Sequence, residues 1–298
     1  MKIPKRYDHV RKADAILTSD WHLREDTPVC RTDDFWEAQW FKVGFISKLV
    51  QECNCIVLHA GDLFHYWKPS PYLLSETIKH LPERFMTVYG QHDLPQHNLG
   101  LAHKSGVYTL LTSNKLELLK EAHFGQEPKL GSLFWPGIER KILIWHRLTW
   151  SKKKPWPDCP EPDAEKILRK YKDFDLIVTG DNHSSFTIKD KNGHILVNPG
   201  SITRQSANQL DHSPSVYMWN ADENSVEQVL LPFNKNVISR EHIDRKQDHD
   251  KRIEAFVSRL NDDWKAEFSF EENLNRFERE NDIHPSVMNV IRKAMENE

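Results

Sequence analysis

Short apolar runs that break off in acids and imidazoles constrain this chain more than any other feature. "AILTSD" (15–20), "CIVLHAGD" (55–62), "RFMTVYG" (84–90), "KILIWH" (141–146), "DLIVTGD" (175–181) and "HILVNPGS" (194–201) each read as a buried strand with a polar end. Helical periodicity lies between them. Trp36, Trp40, Val43, Ile46 and Val50 share one face of a helix over Phe35 to Val50, with Asp33 or Asp34 as its N-cap. Ser70 to Leu81 and the "AEKILRKY" segment read as further helices. Strands alternating with helices predict an α/β protein.

In such a fold the carboxyl ends of the strands share one edge, so residues far apart in sequence converge there. Asp20 and His22 follow the first run, Asp62 the second, and Gln91, His92 and Asp93 the third. His146 follows the fourth, Asp181 and His183 the fifth, and Asn198 and Ser201 the sixth. So many carboxylates and imidazoles in one cleft would repel or stay half-protonated without something cationic between them. Two divalent ions meet that need, and mixed Asp, His and amide ligands suit Mn²⁺, Fe²⁺ or Zn²⁺ better than Ca²⁺.

Composition narrows the classes. The 298 residues, 38% of them apolar and 10% aromatic, suffice for one large domain or a domain with an appendage. A net charge of −3 gives no global pull toward polyanions, so any nucleic acid must be held by a local patch or by metal. Cys30, Cys53, Cys55 and Cys159 contain no C-x-x-C pair and read as reduced thiols. No signal peptide or membrane-length apolar stretch is visible, and the expected location is cytoplasmic, with no membrane partner.

"DWH", "GDLFH", "GQHD", the isolated His146, "GDNH" and "NPGS" occur in the order that resembles the calcineurin-like metallophosphoesterases, over about residues 13 to 235. Within them, "HAGDLFHYWKPSP", "GQHDLP" and "NPGSITRQS" are most similar to the SbcD-type double-strand-break-repair nucleases and their phage counterparts. The resemblance implies a four-layer sandwich of two mixed β-sheets flanked by helices over residues 1–238. It implies a two-metal-dependent DNA nuclease, exonucleolytic and with endonuclease activity left open, working in repair, recombination or replication-end processing. A small-molecule phosphodiesterase or phosphomonoesterase, or a non-catalytic scaffold, are the alternatives.

Carried over residue by residue, the resemblance implies that Asp20, His22 and His183 hold one metal and Gln91, His146 and Asp181 the other, with Asp62 bridging. Mn²⁺ is the expected ion, with Mg²⁺ or Fe²⁺ as substitutes. His92 becomes the catalytic imidazole, Asp93 its orienting partner, and His65 a residue that places the DNA strand. The chain departs from the family where Gln91 replaces an Asn and Asp181 a His, both on the second metal.

Lys152, Lys153 and Lys154 interleave with Trp150 and Trp156 in "TWSKKKPWPDCP", a loop able to grip phosphates and stack on an unpaired base. Asn198, Ser201 and Arg204 complete the expected substrate contacts. Residues 239–298 are charged and helical, with stripes at Ile253, Phe256, Val257 and Leu260 and at Val287, Val290, Ile291 and Ala294. They are expected to fold as helices against the phosphoesterase body or, as the alternative, to cap the cleft or dock a partner. The sequence holds no P-loop, so the resemblance implies a separate SbcC-type coiled-coil ATPase subunit, and it admits a homodimer.

Overall fold

The computed structural model describes residues 12–120, 122–128, 133–134, 140–263, 270–281 and 283–295. Its first unit, Met1–Ser239, contains two sheets. One is built from β1 (Ala15–Thr18), β2 (Ile56–His59), β3 (Phe85–Thr87), β4 (Glu117–Leu118), β10 (Ser215–Asn220) and β11 (Ser225–Leu230), in the order β11-β10-β1-β2-β3-β4. The other is built from β5 (Leu133–Phe134), β6 (Lys141–Trp145), β7 (Leu176–Thr179), β8 (Phe186–Lys189) and β9 (Ile195–Asn198), in the order β5-β6-β7-β9-β8. Strands β1 to β4 run parallel, as do β6, β7 and β9, while β10, β11, β5 and β8 join antiparallel.

The apolar runs are continuous because both faces of these strands are covered. Side chains alternate across a strand. Thus Ala15, Leu17, Ile56 and Leu58 meet Ile142, Ile144, Leu176, Val178, Ile195 and Val197 between the sheets. The intervening Ile16 and Val57 pack outward with Val43 and Ile46 of α1 (Phe35–Cys53), Leu73 of α2 (Pro71–His80) and Leu110 of α3 (Gly106–Thr112). Leu143, Ile177 and Leu196 pack on the opposite side with Ile167 and Leu168 of α4 (Ala164–Lys170). Helix, sheet, sheet, helix is the four-layer α/β sandwich expected from the resemblance.

Local chemistry sets the helix ends. Asp34, of the two candidate caps, accepts the Glu37 amide at 2.9 Å and starts α1, which ends at Asn54 in the left-handed region (φ 48°). Ser70 caps α2 ahead of Pro71 at its first position.

The second unit, Arg240–Glu298, contains α5 (Glu241–Asp263), α6 (Phe270–Glu280) and α7 (Pro285–Met295). Leu274, Phe277 and Met288 form its small core, with Phe256, Ile283 and Ile291 against them. Among the described residues no helix is long and apolar enough to cross a membrane. The four cysteines are free thiols.

Candidate metal centre

The polar ends of β1, β2, β3, β6 and β7 converge where the two sheets meet, an edge also tied by a parallel bridge between Ser19 and Ser201. The chain turns abruptly there. Asp20 (φ 51°), His22 (φ 45°), Asp62 (φ 58°) and Asp181 (φ 75°) all adopt left-handed conformations, which cost of order 1 kcal/mol each for a residue with a Cβ. Backbone bonds hold them: the Asp20 amide reaches the Gly61 carbonyl at 3.0 Å, and the His22 amide reaches the Asp62 carbonyl at 3.0 Å. Gly90 is required by proximity, since a Cβ on it would land on the Asp62 carboxylate.

Two groups of facing acceptors result. His22 Nε2 and His183 Nε2 lie 3.1 Å apart, and each is 3.9 Å from Asp20 Oδ1, with Asp62 Oδ2 3.6 Å from His22. In the second group His146 Nδ1 lies 2.6 Å from the Ala60 carbonyl. A carbonyl only accepts, so neutral His146 carries its proton on Nδ1 and presents a lone pair at Nε2. That lone pair faces Gln91 Oε1 at 2.5 Å and Asp62 Oδ2 at 3.5 Å.

Such an arrangement calls for cations. Buried Asp20 Oδ2, Asp62 Oδ2 and His22 Nδ1 have no hydrogen-bond partner. Burial pushes the Asp20 carboxyl up to about 6. Burial, reinforced by the Asp93 and Asp20 carboxylates, holds Asp62 well above the usual range. His22 is held well below its usual range by burial and then by His183. Each shift favours the neutral form; a divalent ion among these atoms would reverse those of the two carboxyls and deepen that of His22, whose neutral ring is the form that ligates. Among the described residues, Asp20–His22–His183, Asp20–Asp62–His146 and His22–His65–His92 bring ligand atoms within 4.8 Å of one another. The donor set therefore fits divalent metal.

The remaining sequence candidates divide. His92 sits over the site, its ring edge-on to His22 at 4.7 Å, its Nδ1 donating to the His65 carbonyl at 2.8 Å and its amide to Asp62 Oδ1 at 2.8 Å. His65 stacks on His92 at 5.3 Å and faces the Arg24 guanidinium at 3.0 Å, and burial followed by that cation lowers its pKa to about 4. Asp181 points its carboxylate at the Gln91 amide nitrogen at 2.5 Å rather than into any of the three ligand groups. Lys152, Lys153, Lys154 and Trp156 line one open groove with Asp181, Asn182 and His183, about 1100 Å³ in volume.

Other expectations need correction. Asp93 does not orient the His92 ring. Its carboxylate is fully buried and accepts the amides of Asp62, Leu63, Phe64 and Gly90 at 2.9, 3.3, 3.1 and 3.0 Å. Asn198 and Ser201 are buried and bond locally, Asn198 to the Asn182 and Ser184 carbonyls and Ser201 to the Thr203 carbonyl. Arg204, 2% exposed, gives its guanidinium to the Leu210, Asn234 and Lys235 carbonyls and stacks on Phe233. These side chains brace loops and do not face a substrate. Its neighbour Gln205 reaches the site instead, donating to the His22 carbonyl at 3.1 Å.

Sequence reasoning missed Arg24. A single arginine two residues past His22 carries no spacing signal, and its contact with His65 exists only once β1 and β2 pair.

Arg204 and Arg31 also share their surroundings with Lys42, 3% exposed, whose ammonium reaches the Ala38 carbonyl at 3.3 Å. Burial, and then Arg31, lower its pKa to about 8. The sign follows from linkage: a folded-state pKa below the unfolded value means the charged lysine opposes folding below pH 8, and that penalty fades between pH 8 and 10.5. Lys42→Met is therefore expected to raise the unfolding free energy at pH 7 by about 2 kcal/mol, read from urea midpoints, with the gain shrinking above pH 8.

A family model described as the calcineurin-like phosphoesterase superfamily domain matches residues 15–222. No curated protein matches the chain in sequence. Among solved structures, the chain is similar to zinc-complexed Vps29 of Entamoeba histolytica, at 17% identity over 74% of this chain and 99% of that one, TM-score 0.36. Vacuolar protein sorting 29 of Cryptosporidium parvum is similar at 19% over 76% and 100%, TM-score 0.37. A metallophosphoesterase of Sphaerobacter thermophilus is similar at 12% over 74% and 89%, TM-score 0.38.

Proposed function

Because the chain belongs to the calcineurin-like phosphoesterase superfamily, we propose that it is a two-metal-dependent DNA nuclease, chiefly an exonuclease, acting inside the cell in repair or recombination. The observation that carries the DNA reading is the groove. Its wall places three lysines and a half-exposed tryptophan beside His183, which suits a long polyanion with unpaired bases better than a small phosphate ester.

Asp20, His22 and His183 would hold one divalent ion, and Asp62, His146 and Gln91 the other, with manganese expected ahead of magnesium or iron. Bound there, such ions supply Lewis acidity at phosphorus and neutralise charge on the attacking and departing oxygens. His92 supplies the proton. Since its Nδ1–H is committed to the His65 carbonyl, Nε2 can donate to the departing oxygen only as the imidazolium. His65, held by Arg24 and stacked on His92, fixes the rim over which the strand would pass.

The helical second unit carries exposed Ile253, Val257, Val287 and Val290 on a charged background. This supports a docking role toward a coiled-coil ATPase, the partner we propose alongside DNA; a homodimer of the chain belongs to the same proposal.

The test is manganese-dependent release of nucleotides from end-labelled linear DNA, run beside a small phosphodiester reporter. Replacing Lys152, Lys153 and Lys154 together with alanine is expected to slow DNA turnover about tenfold at moderate salt and to flatten its salt dependence, with the reporter as reference. Cleavage of the reporter without cleavage of DNA would sink the nuclease reading in favour of a small-molecule phosphodiesterase.

A further inference from the structure

The Gln91 amide lies between two acceptors of different character. On one side is the His146 Nε2 lone pair at 2.5 Å, and on the other the Asp181 carboxylate at 2.5 Å. An amide has one end that donates and one that accepts, so its orientation decides what the second group of ligands offers a cation. A bare imidazole nitrogen would by itself attract the amide N–H₂, and that choice would turn Oε1 away from Asp62 and His146. The carboxylate opposes it, because Asp181 can only accept and repels an oxygen turned toward it. A neutral residue at position 181 would not impose this choice.

We propose that Asp181 is a positioning residue and not a metal ligand: its carboxylate locks the Gln91 amide so that Oε1 joins His146 Nε2 and Asp62 Oδ2 around the second cation. The proposal rests on the two-ion reading above. It also joins the two places where this chain departs from the metallophosphoesterase pattern into one matched pair. The longer Gln91 reaches past the position an asparagine would occupy, and Asp181 receives its nitrogen. The Asp181 amide meanwhile donates to Asp20 Oδ1 at 3.0 Å, so the residue is anchored by its backbone and its side chain is free for this task.

The decisive experiment is a manganese-loaded crystal structure of the full chain, with anomalous scattering locating the ions. The expected result is two ions, Gln91 Oε1 coordinating the second, and the Asp181 carboxylate outside that coordination sphere on the amide nitrogen. An Asp181 oxygen bound to manganese overturns the proposal while leaving the two-ion reading intact. A single ion overturns both. In solution, calorimetric titration of Asp181→Gly, chosen because glycine accepts the left-handed backbone at this position, is expected to retain two manganese ions per chain. The second should bind about tenfold more weakly and the first unchanged, as befits loss of an outer partner of one ligand. Unchanged affinity for the second ion would overturn the proposal, and so would equal weakening of both ions, which marks a merely structural role.

Discussion

Replacing His92 with alanine is expected to slow phosphodiester hydrolysis by about 10²–10⁴-fold while leaving metal uptake intact. The separation follows from what each atom of His92 touches. Its backbone amide, which alanine keeps, donates to Asp62 Oδ1, so the Asp62 carboxylate stays in place. Its ring lies edge-on to His22 and stacks on His65, and it is only partly buried, so it can reach a departing oxygen. The loss should depend on the leaving group, because an acid matters most when the departing oxygen is basic. A nitrophenyl ester, whose phenolate departs without a proton, should therefore be slowed far less than a DNA strand. Single-turnover rates on both substrates, with bound manganese measured in the same samples, check this. Should the variant lose an ion together with its activity, His92 would be a ligand through the His22–His65–His92 group, and its assignment as proton donor would fall.

Most of the parallel strands were legible because being buried on both faces leaves a continuous apolar run, and because the runs that reach the site stop at acids or imidazoles. Strands β8 and β11 lacked both marks, and β10 lacked the second. Phe186–Lys189 and Ser225–Leu230 are edge strands of mixed exposure, and β10, though buried, ends in Asn220 with no acid or imidazole. For the site, spacing revealed which residues arrive at the edge but not which way their side chains turn. Gln91 and Asp181 looked alike as ligands, and only the distances show one amide answering to one carboxylate. Arg204 and Asp93 illustrate the opposite error. Both are charged residues inside motif-bearing stretches, and both are committed to backbone groups of loops that sequence cannot bring together. Charge near a motif signals solvent or substrate only where no backbone group is left needing a partner.

Asp93 makes that distinction testable. Four amides from two turns, Asp62, Leu63, Phe64 and Gly90, converge on its carboxylate, and this junction carries both Asp62 and the chain leading to Gln91 and His92. Burial raises its pKa to about 6 against the pull of those amides, which leaves the group ionised at neutral pH and able to accept all four. In Asp93→Ala the amides lose this acceptor, at roughly 1–3 kcal/mol for each that water cannot reach, and Asp62 must hold its left-handed conformation with only the His22 and His92 amides on it. The expected loss is about 4 kcal/mol of unfolding free energy, allowing for partial relaxation, together with loss of manganese binding. Urea unfolding and metal titration on the same preparation measure both. Asp93→Asn refines the result: its N–H₂ would oppose at least one of the amides, so stability should fall here too, by less. If instead Asp93 served mainly to orient His92, the asparagine variant would keep wild-type stability and metal content and lose only rate. That outcome would return Asp93 to the catalytic group and remove it from the framework that aims Asp62.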